Sequence, residues 1–162
     1  MRRRVTPATG LVAGVLVLSG SSGCSPAADP ELVGALEGTG LVLYEPRVRG
    51  AGLRDLTVDD GVVRADLDGA YGRLREAAYV DDGRPLCRAL RRTFLADSSC
   101  TAMPDAIVAD FEEMVTVAVV RGGTVLALST VDEGDPDLVT DVLEALREAP
   151  VVTAEELARE AG

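Results

Sequence analysis

The chain has 162 residues, enough for one domain once a targeting segment is set aside. Apolar residues make up 47% and aromatics only 3%, with no Trp, so any core must be aliphatic. There is no His and no Lys, and the formal net charge is −11. A chain this acidic repels phosphate backbones, so nucleic acid is not an expected partner.

The first 23 residues read as a signal peptide. Arg2, Arg3 and Arg4 precede an apolar run from Leu11 to Leu18, and Ser19–Gly23 are small and polar. The run is far shorter than the ~20 residues that span a bilayer. "SSGC" (21–24) resembles the lipobox of bacterial lipoproteins: Ser22 and Gly23 fit, and Ser21 stands where Leu is usual. The leader and the use of Arg to the exclusion of Lys resemble exported lipoproteins of actinobacterial type. The resemblance implies a diacylglycerol thioether on Cys24, and two acyl chains suffice for stable anchoring. Residues 24–30 then form the lipidated Cys and a tether, and 31–162 a single globular domain at the outer face of the cell membrane. Ordinary cleavage and secretion is the alternative. "RRRVTP" carries the paired arginines of twin-arginine export without its flanking pattern, so the export route stays open. Without the leader the chain has 13 Arg against 27 acids.

Three cysteines leave one odd in an exported protein. With Cys24 acylated, Cys87 and Cys100 are expected to form a disulfide, which persists outside the cytoplasm. A metal site is not expected from two cysteines without His.

In chain order, residues 29–40 predict a short helix with Asp29 as cap and Pro30 in its first turn. "LVLYEPRV" (41–48) predicts a strand broken at Pro46. "LTVDDGVVRADL" (56–67) predicts a hairpin turning at Asp59–Gly61. This hairpin with "DGAY" is similar, over about fifteen residues, to the opening of the GerMN domain of some spore-germination and actinobacterial lipoproteins. Residues 70–80 are ambiguous: Tyr71, Leu74 and Ala78 suit a helix, while Gly69 and Gly72 weaken it. Residues 84–97 predict a helix with Leu86, Cys87, Leu90 and Phe94 on one side. "SSC" then turns the chain back, and 103–113 predict a further helix striped by Ile107, Val108 and Phe111.

"MVTVAVVRGGTVLALSTV" (114–131) predicts a hairpin turning at Gly122-Gly123. Its register sets Val119 opposite Leu126 and Val117 opposite Leu128 on one face, which calls for helices. The other face pairs Val120 with Val125, Ala118 with Ala127 and Thr116 with Ser129; it reads as a close-packed back of a sheet buried on both sides, with a shallow surface for a partner as the alternative. Residues 135–149 and 153–162 predict helices, the second with a Thr153/Glu156 capping box. The expected fold class is α+β: an antiparallel sheet of two or more hairpins packed with several amphipathic helices.

The missing residue types limit the chemistry. Without His or Lys there is no Ser–His–Asp or Cys–His site, no Schiff base and no Walker loop. Carboxylates are plentiful: Asp59/Asp60, Asp81/Asp82, Glu112/Glu113, and Asp132, Glu133, Asp135 and Asp137. No catalytic residue, cofactor or metal ligand is assigned from them. Arg84, Arg88, Arg91 and Arg92 are expected to pair with carboxylates rather than bind an anion. The leading expectation is a lipid-anchored envelope protein with no assigned biochemical activity, a protein-binding or accessory module with an envelope protein as partner. Two alternatives remain: a carboxylate-based hydrolase acting on envelope glycan, and a small-ligand or calcium-binding lipoprotein using the acids of 132–137.

Overall fold

The computed structural model describes residues 27–69, 72–94, 99–111, 114–130 and 136–162. Cys24, Glu112/Glu113 and the acids at 132, 133 and 135 lie outside them. The elements are α1 (Pro30–Gly38), β1 (Gly52–Asp59), β2 (Val62–Gly69), β3 (Gly72–Val80) and α2 (Leu86–Phe94). They continue with β4 (Ser99–Ala102), β5 (Ala106–Phe111), β6 (Met114–Arg121), β7 (Thr124–Thr130), α3 (Pro136–Glu148) and α4 (Ala154–Glu160). The seven strands form one sheet in the order β1-β2-β3-β7-β6-β5-β4, each neighbouring pair antiparallel. The fold is α+β, with hairpins packed against helices.

Local chemistry sets the boundaries. The Asp29 carboxylate accepts from the Glu31 amide at 2.9 Å and starts α1. Thr153 and Glu156 close a reciprocal capping box at α4, at 3.2 and 2.8 Å. Two hairpin turns among the described residues use left-handed backbone: Asp60 and Gly61 have φ of 49° and 75°, and Gly122 and Gly123 have 54° and 80°. Paired positive φ values match the right-handed twist of the flanking strands. The β6–β7 register is the expected one, with Val117 opposite Leu128, Ala118 opposite Ala127 and Val119 opposite Leu126.

One face of the sheet carries the larger core. Leu138, Val142 and Leu146 of α3 pack on Val117, Val119, Leu126 and Leu128, while α1 and α4 add Leu36, Leu157 and Ala158. The opposite face is also covered over β5–β7, because Leu90 of α2 sits on Ile107, Ala109, Ala118, Val125 and Ala127. The second face of the β6–β7 hairpin is thus the close-packed back expected of a sheet buried on both sides, with α2 covering half of it. A bond between Cys87 and Cys100, with Cα atoms 6.0 Å apart, ties α2 to the edge strand β4. On the same face of β6 and β7 as Ala118 and Ala127, Thr116 and Ser129 are fully buried and share a hydrogen bond of 2.8 Å.

Two local expectations change, and one ambiguity resolves. Residues 103–113 contain β5, not a helix. Ala106 and Val108 join one core while Ile107 and Ala109 join the other, so both phases are apolar and the alternation is masked. Residues 41–48 are not a sheet strand. The segment crosses over the helix-bearing face and makes one bridge, Tyr44 to Val151, with hydrogen bonds from Glu45 to Pro150 and from Val152 to Leu43. The ambiguous stretch 70–80 contains strand β3, and Ser99 and Cys100 open the short strand β4. Among the described residues no helix is long and apolar enough to cross a membrane.

Candidate functional site: an aliphatic cavity bearing a buried carboxyl

The half of the sheet away from α2 and the disulfide holds a cavity of about 290 Å³. Its floor is the helix-side face of β1–β3, with Leu56, Val63, Ala65, Leu67, Glu76 and Ala78. Strand alternation puts these residues on one surface. Small side chains leave the space: Ala65 and Ala78 in the floor, and Ala51 in the segment above them. The roof is the 43–51 segment, with Leu43, Pro46 and Val48, while Leu53 at the start of β1 and Leu157 of α4 complete the lining.

The roof is held from the far side of Tyr44. The Arg121 guanidinium lies 4.5 Å from the centre of the Tyr44 ring, and Thr124 Oγ1 donates to the Val42 carbonyl at 3.2 Å. Pro46 has no N–H to satisfy, which suits a buried position outside the sheet ladder.

Glu76 breaks the aliphatic floor. Along β3 it lies between the inward positions of Leu74 and Ala78; across the strands it faces Ala65 and Leu128. It keeps part of its surface on the cavity. Among the described residues its carboxyl has no hydrogen bond and no cation. Burial pushes it up to about 8, and the nearby charge of Glu45 adds to the shift. Glu76 is therefore largely a neutral acid at neutral pH.

The other charged groups on the cavity are Glu45, Arg47 and Glu160. Arg47 forks onto Glu45 at 3.2 and 3.4 Å. Burial, repulsion from Glu45 and a hydrogen bond with it raise the Glu160 carboxyl, against the lowering effect of Arg47. Three carboxyls thus share the cavity with one guanidinium. No Ser, Thr or Cys of the described residues lines it. The arrangement offers binding and proton exchange, not nucleophilic chemistry.

Of the acids singled out by sequence, those among the described residues do not line the cavity. Asp59 pairs with Arg64 at 3.6 Å, and Asp60 occupies the β1–β2 turn. Asp81 and Asp82 accept from the amides of Gly83 and Arg84, and Asp82 also pairs with Arg84 at 2.9 Å. These are turn-forming roles. Arg88 is exposed, and the side chains of Arg91 and Arg92 lie outside the described set. Among the described residues no three Cys, Asp or Glu side chains are arranged to hold a metal ion. The exposed face of β1–β3 carries cross-strand ion pairs, Arg54–Asp68 at 2.8 Å, Arg75–Asp66 at 3.6 Å and Arg73–Asp68 at 3.9 Å, which largely neutralise one another. Sequence reasoning missed Glu45, Glu76 and Glu160. The available signal was the run Leu74-x-Glu76-x-Ala78, in which an acid takes an inward phase once the stretch is read as a strand.

No family model matches the chain, and no curated protein matches it in sequence. A similar solved structure is a GTP-binding regulator from Thermotoga maritima, at 16% identity and a TM-score of 0.46, covering 70% of this chain and 87% of that one. A similarity this distant assigns no activity. What the coordinates define is an α+β domain with an aliphatic, carboxyl-bearing cavity on one half of its sheet.

Proposed function

We propose that this protein is a binding protein of the cell envelope, anchored by a diacylglycerol on Cys24, whose cavity takes up a small aliphatic molecule. The observation that carries the reading is the cavity itself: aliphatic on floor and roof, and about twice the ~150 Å³ that accepts a benzene ring. The leader, the lipobox-like "SSGC" and the paired Cys87 and Cys100 support a place outside the cytoplasm. A protein-binding accessory role shares that location, but the cavity favours the small ligand.

The test uses the full chain with Cys24→Ala, which removes the site of acylation, and with Cys87–Cys100 oxidised. Titration with 1-octanol is expected to give saturable heat and a raised Tm. Ala65→Leu, which fills the floor, is expected to abolish both. Absence of saturable binding to the unfilled cavity overturns the reading. Mass spectrometry of the native chain checks the anchor: a diacylglycerol thioether at Cys24 is expected, and an unmodified Cys24 overturns that part.

A further inference from the structure

We propose that the cavity selects a ligand carrying a protonated nitrogen on its aliphatic body, with Glu76 as the group that receives the nitrogen. The proposal rests on the reading of the cavity as a binding site and adds the chemical class of the ligand.

The first observation is Glu76 itself. A carboxyl in an apolar wall with neither cation nor hydrogen-bond donor is costly to bury, whether it stays charged or becomes neutral. Leu in its place would join Leu74, Ala78 and Leu128 without that cost. Nothing in the fold uses the carboxyl: no strand, turn or helix end is held by it. A donor arriving from the cavity supplies the missing partner.

The second observation is the sign of the surroundings. The charged groups facing Glu76 are Glu45 and Arg47 from the roof and Glu160 from α4. Arg47 is already engaged by Glu45. Behind the floor, on the opposite face of β2 and β3, Arg75 and Asp66 pair with each other, and Arg64 pairs with Asp59. The one guanidinium on the cavity is thus engaged, so an anionic head such as a fatty carboxylate finds no cation to receive it. A cation is drawn in and desolvated beside a carboxylate, where a charge-assisted hydrogen bond is strongest.

The third observation is the scarcity of aromatic surface. Tyr44 is the one ring lining the cavity among the described residues. An aromatic cage for a quaternary ammonium needs several. The head is therefore an amine with N–H to donate. On binding, the proton held by Glu76 leaves to solvent, and the N⁺–H···O⁻ bond replaces it.

The test compares 1-octylamine, 1-octanol and octanoate by calorimetry on the full chain with Cys24→Ala, oxidised at Cys87–Cys100. The amine is expected to bind about tenfold tighter than the alcohol, and octanoate weakest of the three. In Glu76→Gln the ratio of amine to octanol affinity is expected to fall below about threefold. At about pH 6.5, the heat of amine binding should vary with the ionisation enthalpy of the buffer, reporting proton release, and this variation should vanish in the variant. Octanol binding as tightly as octylamine, or an amine preference that survives Glu76→Gln, overturns this inference while leaving the cavity a binding site. Failure of both to bind removes the site as well.

Discussion

Arg121 joins the β6–β7 hairpin to two other parts of the molecule. Its guanidinium lies 4.5 Å from the centre of the Tyr44 ring, and its Nη1 donates to the carbonyls of Ala149 at 2.6 Å and Leu146 at 3.3 Å. One side chain thus satisfies carbonyls at the C-terminal end of α3 and braces the roof of the cavity. Charged hydrogen bonds and a cation–π contact together predict that Arg121→Ala costs about 2–3 kcal/mol in urea unfolding. Gly122→Ala strikes the same contact differently. A Cβ there would lie 2.7 Å from the Tyr44 hydroxyl on backbone with φ of 54°, so it is expected to destabilise as well.

Glu76 gives stability a defined pH dependence. Its folded value is raised from 4.5 to about 8, so the native state holds a proton that the unfolded chain releases. Its favourable contribution is complete below about pH 4.5 and is lost as pH rises through about 8. In the middle of that window stability falls by up to about 1.4 kcal/mol per pH unit from this group. Glu76→Gln should flatten the slope and be the more stable protein above pH 8. Urea midpoints of the two proteins across the window check this, and parallel curves would refute it.

The Cys87–Cys100 bond clamps α2 and the edge strand β4. Their sequence separation is 13. Loops of this length predict about 3 kcal/mol of stabilisation, so Cys87→Ala with Cys100→Ala should lower unfolding free energy by that order. Because the cavity lies on the other half of the sheet, octanol affinity should change little in this variant at a temperature where it remains folded.

Thr116 and Ser129 form a cross-strand hydrogen bond in a fully buried layer. Thr116→Val alone leaves the Ser129 hydroxyl without this partner and should cost about 1–3 kcal/mol. Adding Ser129→Ala removes both polar groups and should recover much of the loss. A double-mutant cycle in urea reads the coupling directly.

The parts of the fold legible in sequence are those in which one local rule dominates. Gly122-Gly123 fixed a turn and, through it, the whole register of β6 and β7. Asp29, Pro30 and the Thr153/Glu156 pair announced α1 and α4 by hydrogen-bonding chemistry confined to a few residues. The misread parts depend on distant chain. In β5, Ile107 and Val108 suit a helical stripe, and only the presence of a core on each side of the sheet shows why both are apolar. Tyr44 has the company of a strand residue, yet its segment is drawn out of the sheet by Pro46 and by the approach of residues 150–152. The cavity was illegible for the same reason. Glu45, Glu76 and Glu160 are far apart in the chain, and they meet only because the roof and α4 fold over the same three strands.

The roof of the cavity has few backbone ties of its own: the bridge around Tyr44 and Val151 and a short turn from Val48 to Ala51. The floor belongs to a continuous seven-stranded ladder. Amide protons of residues 41–51 should therefore exchange with deuterium well before those of β2, β3 and β7, through local breathing that leaves the ladder intact. A guest can enter or leave by that motion without any strand parting from its neighbour.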